Sequence, residues 1–459
     1  VHRLFLRHIA AHLTETIHPL LRFRHIFKVA VPIIVSGLSV NIVNITDTIF
    51  LSNVGELALG AAGNAGILYY IFVLLGSGFT AGAQIIIGRR NGEQRFTLIG
   101  SLLAQTIYFL LFASLLFVLL IQWSSTHFLP LIVASQDILS LIQEYLQMRS
   151  WGIIFSLMNL AFISFYVGTT RTRILGIITP AMASLNILLD YLLIFGEAGF
   201  PQMGVEGAAL ASNISEACGL IALATYTYLL KDKAKYRLFE WEGMDTKKIG
   251  RILVTAGPIM VQNFITLSSW FVFFSIIENL GERALAISHI VRSMYMFVMI
   301  PVFGFGDTTN TLVSNLMGEG RSDRIYALLK RIALLGVLAN VLMLPFLVGL
   351  ADYTLLAYTR DLALIEDTKP SLQVVGGAMF VFSLAIILYR AITGIGRTRE
   401  ALLIEVISIA IYMGFTYYVG AVLQASLPVV WTAEFVYFGT MLILAVLFFR
   451  LVDWRNTKV

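Results

Sequence analysis

The run NIVNITDTIF, residues 41–50, lies inside an apolar stretch that begins near Val29, yet it holds two asparagines and an aspartate. A carboxylate at the middle of a membrane span costs roughly 2.5–3.5 kcal/mol on insertion scales, so Asp47 needs a compensating role if the surroundings are hydrocarbon. The surroundings are set by the whole chain. Of its 459 residues, 58% are hydrophobic and 13% are charged, and the mean hydropathy is +0.83. Soluble domains carry charge at roughly twice that frequency, about 25%. Uncharged runs near the ~20 residues that span a bilayer as a helix recur along the full length. The composition therefore describes an all-α polytopic membrane protein.

Twelve apolar runs separate at charged or Gly/Pro-rich breaks, near 29–52, 61–87, 98–121, 132–168, 174–196, 205–230, 251–279, 285–315, 326–350, 371–393, 401–423 and 429–450. The basic residues orient them. One set of alternating loops holds Arg89, Arg90 and Arg95, then Arg171 and Arg173, seven Lys/Arg from Lys231 to Arg251, Arg321, Arg324, Lys330 and Arg331, and Arg397 and Arg399. The other set holds only Arg149, Arg283, Arg360 and Lys369. Positive residues stay inside, so both termini are expected in the cytoplasm. Residues 1–28 carry Arg3, Arg7, Arg22, Arg24 and Lys28 and do not read as a secretory signal; LFLRHIAAHL, 4–13, has the mixture of an amphipathic surface helix, and a flexible basic tail fits the composition equally. The single cysteine, Cys218, leaves no intramolecular disulfide.

A shift of 226 residues lays the second half on the first without gaps. Pro32 falls on Pro258, Gly55-Glu56 on Gly281-Glu282, Gly78-Phe79 on Gly304-Phe305, Gly92-Glu93 on Gly318-Glu319, and Arg171-Thr172-Arg173 on Arg397-Thr398-Arg399. Each half has six spans, so the repeat is parallel, with its axis along the membrane normal. The expected organisation is a basic tail (1–28), an N-lobe (29–230), a linker (231–250), a C-lobe (251–450) and a C-terminal tail (451–459). Two such bundles about a central interface suit alternating access. A duplicated channel or assembly scaffold is the competing reading.

Asp47 in span 1 and Asp190 in span 5 are embedded with no basic residue nearby in sequence, each about five or six residues from the outer end of an outward-running span. They share a depth. Asn41, Asn44 and Asp47 recur every three residues, Asn186 precedes Asp190 by four, and Ser212 reaches a similar level from span 6. Carboxylate, amide and hydroxyl oxygens converging in a dry bundle suit a small hard cation such as Na⁺, and equally a carboxylic acid that takes up a proton. The mirror positions are Phe273 and Thr416, so the second half repeats the scaffold without these acids.

Other charges weigh less. Glu216, Arg292, Glu405 and Arg390 read as cavity-lining or snorkelling residues, Glu278, Asp307 and Glu434 as helix-end residues, and His289 as a packing residue. GRRNGEQ and MGEGRSDR are paired loops, and no GxxxxGK[ST] phosphate loop occurs. No enzyme motif is present, and an ion gradient is the expected power source.

Pro32 followed by Asp47, VGELALGAAG (54–63) with its echo LGERALAISH (280–289), the NGE and MGE loops, and GTTRTR with GIGRTR together resemble the MATE (multidrug and toxic compound extrusion) transporters across nearly the whole chain. The resemblance implies two six-helix lobes around a V-shaped cleft, in the inner or plasma membrane. It implies antiport of drug-like, often cationic compounds against H⁺ or Na⁺ by a monomer that contacts membrane lipid, needs no cofactor and binds no nucleic acid. In archaeal and DinF-like members the N-lobe cation site matches Asp47, Asn186, Asp190 and Ser212 here, with Tyr145 a further match and Asn44 an accessory candidate. NorM-like members carry a C-lobe acid where this chain has Thr266, and span 10 has no acid, so the N-lobe-dependent branch is the nearer one. Tyr191 follows Asp190 where many relatives have proline. A flippase of lipids or lipid-linked sugars from the same superfamily is an alternative that favours a basic cleft. A major facilitator carrier is another, and it favours an acidic motif in the span 2–3 loop.

Overall fold

The computed structural model describes residues 18–349, 351–356 and 361–457. Arg3, Arg7, the 4–13 stretch and Arg360 lie outside them. Among the described residues twelve helices are long and apolar enough to cross a membrane. They are α1 Phe23–Val54, α2 Glu56–Gly92, α3 Phe96–Trp123, α4 Gln136–Gly168, α5 Leu175–Phe195 and α6 Gly204–Tyr228, then α7 Thr246–Glu278, α8 Glu282–Gly318, α9 Ile325–Leu344, α10 Leu362–Ile395, α11 Thr398–Thr416 and α12 Ala433–Leu451. Several helices, α1, α2, α7 and α10 among them, start ahead of their apolar runs, because polar first turns are helical too. Phe23 starts α1 six residues ahead of the expected boundary, and Ser135, Asp245 and Asp361 cap α4, α7 and α10 by accepting backbone N–H bonds.

The 226-residue repeat is built into the packing. Gly55 and Gly281, both at positive φ (151° and 106°), turn the chain between α1 and α2 and between α7 and α8. Ile34 of α1 packs on Gly304 of α8, and the mirror contact sets Met260 of α7 on Gly78 of α2. Gly92 lies against the Asn315 carbonyl, and Gly318 against that of Arg89. Glycine is needed at these crossings because a β-carbon would collide with the facing helix.

Two large apolar cores follow, one per lobe, with a small third cluster in the first half, and the helix ends are exchanged between the large cores. Ile26, Val29 and Ala30 of α1 are buried in the core of the second half, while Ile252 and Ala256 of α7 are buried in that of the first. The lobes are further joined by Gln84 to Thr311 (3.1 Å), Asn91 to Asn315 (2.6 Å), Ser314 to the Ile85 carbonyl (2.6 Å) and Arg89 to the Ile395 carbonyl (2.7 Å). These bonds lie between mid-span and the face that carries the basic loops. The seam is therefore closed on the basic side.

Candidate functional site

Pro32 determines how α1 meets α5. Proline lacks an N–H, so the carbonyl four residues earlier loses its helical partner. Thr172, just ahead of α5, supplies one: its hydroxyl donates to the Lys28 carbonyl at 3.2 Å and to that of Val29 at 3.0 Å. Farther along, Ser36 donates to Thr179 at 3.1 Å. Both helices then run in the same direction, and eleven residues beyond Ser36 and Thr179, about three turns, stand Asp47 and Asp190. Their carboxyl groups lie close enough to interact electrostatically. Two ionised carboxylates have no donor between them, so a hydrogen bond within the pair requires one proton.

Asn186 and Ser212 complete the cluster. With its nitrogen toward Asp190, the Asn186 amide donates to Oδ2 at 3.2 Å and accepts from the Ser212 backbone N–H at 3.2 Å, which satisfies both of its ends. Asp190 is fully buried and Asn186 nearly so. Oδ1 of Asp47 and Oδ1 of Asp190 are buried without a partner, so the oxygens present fit a proton or a small hard cation. Leu51, Ile194 and Ala208, one turn farther out from Asp47, Asp190 and Ser212, pack as a dry roof with Tyr145 at its edge. Tyr145 lies within electrostatic reach of both acids. Asn44 does not join: it is exposed, and its backbone carbonyl accepts from Thr48.

Arg149 is the residue that the sequence reading misplaced. It is a buried residue of α4 and not part of an outer loop. It pairs with Glu216 of α6 at 2.6 Å, donates to Asn213 at 2.8 Å beside Ser212, and lies 4.1 Å from the centre of the Tyr69 ring. Glu216 also accepts from Ser156 at 2.7 Å, and Ser156 bonds Tyr69 at 2.9 Å. The signal was present as a lone base followed by nineteen uncharged residues, 150–168, and an acid, Glu216, well inside span 6. Complementary single charges in two spans are the mark of a buried pair.

In the second half the mirror place is filled by rings. Phe273 is fully buried, stacked on Tyr412 and edge-on to Trp431, and Thr416 bonds the Tyr412 carbonyl. Glu405 does not snorkel: it is buried and accepts from Thr266 at 2.8 Å and Tyr437 at 2.7 Å. Glu434, although in the first turn of α12, is equally buried under Tyr295 and Tyr412. Asp307 is well inside α8 and pairs with Arg390 at 3.5 Å, which replaces the expected snorkelling of that arginine. Arg292 lies over Phe274, and His289 stacks on the same ring.

The MatE family profile matches the chain twice, over residues 32–192 and 258–418, at the spacing of the repeat. A probable multidrug resistance protein NorM of Thermotoga maritima is 25% identical over 389 residues, covering 84% of this chain and 83% of the relative. A second, from Pasteurella multocida, is 22% identical over 402 residues, with 86% of each covered. Among solved structures, the outward-facing conformation of a multidrug resistance MATE family transporter of the MOP superfamily superposes with a TM-score of 0.86 at 16% identity, over 95% of this chain and 96% of the other. A MOP superfamily transporter from Pyrococcus furiosus, described as having a binding pocket of reverse polarity, gives 0.83 at 17% identity, over 94% and 96%.

Proposed function

The chain belongs to the MatE family of multidrug transporters, and we propose that it exports drug-like, often cationic compounds in exchange for H⁺ or Na⁺ taken up at Asp47 and Asp190. The observation that carries this reading is the convergence of Asp47, Asn186, Asp190 and Ser212 from three helices, with one oxygen of each acid left unpartnered. A proton would sit on the shared carboxyl pair. Na⁺ would be held by the two carboxylates with the Ser212 hydroxyl and, once the amide turns over, the Asn186 carbonyl, ligands of the hard-oxygen class such ions take. Each net inward charge supplies about 2.3 kcal/mol per 100 mV, so for a monocationic compound the potential contributes only when more than one ion enters.

In this reading residues 29–230 and 251–450 are the N- and C-lobes, and 231–250 is the link between them. The basic face is cytoplasmic, both termini lie there, and the seam closed on that face makes this an outward-facing state. The lobes then rock about the seam to expose the cleft alternately. The relatives named above are NorM proteins, yet the missing acid at Thr266 and the assembled N-lobe cluster favour the N-lobe-dependent branch of the family. The protein acts as a monomer in the plasma or inner membrane.

The test is drug extrusion from proteoliposomes with H⁺ and Na⁺ gradients imposed separately. Asp47→Asn is expected to abolish extrusion under whichever gradient drives the unaltered protein, at normal expression. Unimpaired transport by that variant would remove the site.

A further inference from the structure

Just ahead of α1 the chain makes a short turn, Pro19–Leu21, that does not stay with its own lobe. Leu21 is 3% exposed and buried in the core of the second half. Arg331 of α9 donates to the Leu21 carbonyl at 2.6 Å, and its guanidinium lies over Phe23. His18 meets Glu319, in the loop after α8, at 3.0 Å. The segment thus crosses the basic face from the first half and is gripped by the second.

The same device occurs once more at the 226-residue offset. The position that mirrors Arg331 is Gln105 of α3, and Gln105 grips the segment ahead of α7. Its amide donates to the Gly243 carbonyl at 3.0 Å and accepts from the Asp245 N–H at 2.7 Å. Tyr108 donates to the Glu242 carbonyl at 2.9 Å, and Ser101 bonds the Glu242 carboxylate at 3.0 Å. Here the lead-in to the second half is gripped by the first. Arg331 and Gln105 differ in chemistry but share a task, donation to a main-chain carbonyl just ahead of a lobe's first helix. Since chance packing would not put two such grips at equivalent places, the repeat argues that they have a purpose.

Their position suggests what it is. The ends of α1 and α7 are the parts exchanged between the cores, and the basic face cannot open until those ends withdraw. We propose that the segments ahead of α1 and α7 are a pair of clasps that hold the lobes shut on the basic face, and that both release before that face opens. The inference rests on the alternating-access reading above, and its main test does not need transport.

The reporter is Ser314→Cys in a Cys218→Ser background. Ser314 is fully buried at the seam in the closed state, so a membrane-impermeant maleimide reaches it only when the basic face opens. Arg331→Ala and Gln105→Ala are each expected to raise the labelling rate roughly five- to tenfold, as loss of one or two hydrogen bonds would, and the double variant by about the product. Labelling should rise for maleimide added on the basic side alone. Unchanged labelling in both single variants and the double overturns the proposal. As a check independent of weakened folding, His18→Cys with Glu319→Cys is joined by a reducible bifunctional thiol reagent. Joined protein should label Ser314→Cys more slowly, compared by mass of the tryptic peptide, and recover on reduction. Labelling indifferent to the cross-link overturns the proposal equally. A protein that shows no ion-driven extrusion yet obeys these labelling results would remove the transport reading and leave the clasps standing.

Discussion

Gly152 shows how closely the N-lobe charge pair is enclosed. A β-carbon there would collide with Asn213 Oδ1 and Arg149 Nη1, the two atoms of one hydrogen bond. Gly152→Ala is expected to destabilise by about 1–3 kcal/mol, the usual cost of overpacking, and to lower the melting temperature in detergent. Removal of one charge is worse. The Arg149 side chain is 9% exposed and that of Glu216 is 19%, so Glu216→Leu strands a guanidinium with little water to solvate it. That variant should lose about 3–5 kcal/mol, whereas Arg149→Met with Glu216→Leu should recover much of the loss, because apolar groups replace a buried pair at little cost. A double variant no more stable than Glu216→Leu would show that the pair is not the main term.

At the scale of the element, the proline site of α1 depends on a neighbour. Thr172→Val removes the donor to the Lys28 and Val29 carbonyls, with an expected cost of about 1–3 kcal/mol for the buried acceptor. In a Pro32→Ala background the helix recovers its own N–H donor, so the same change should cost less; a thermal double-mutant cycle measures the difference. The linker responds to acid. The Glu242 carboxyl is held below its usual range by hydrogen bonds from Lys248 and Ser101, and that of Asp245 by the backbone N–H of Lys248. A depressed carboxyl stabilises the docked linker above its unfolded value, about 3.9–4.3, and loses that contribution as pH falls through the lower folded value. The protection of amides across 237–245, taken as the intrinsic exchange rate at each pH over the observed one, should therefore stay flat from neutral pH to about 5 and fall once the pH drops below about 4.

At the scale of the molecule, the glycines at the seam keep the two lobes in contact. A β-carbon at Gly318 would meet the Arg89 carbonyl, whereas one at Gly66, on α2 but away from the seam, meets nothing. Gly318→Ala should wedge the basic face apart and speed labelling of a seam cysteine. Gly66→Ala should leave labelling unchanged and add about 0.5–1 kcal/mol of helix stability. Equal labelling in the two would mean that the seam yields without opening.

The sequence by itself determined the solvent, the number of spans and the repeat, because hydropathy and the spacing of Pro and Gly are local properties that survive without coordinates. It also placed Asp47 and Asp190 at one depth, since rise per residue converts sequence position directly into height. Azimuth is different. Which face of a span meets which neighbour depends on packing between helices far apart in the chain, so Asn44 stood as an accessory candidate beside Asn186. For the same reason Arg149 read as a loop residue, and Glu405 and Glu434 as end effects, until their partners on other helices were in place. The tertiary structure alone decided those pairings, and with them the exchange of helix ends that closes the basic face.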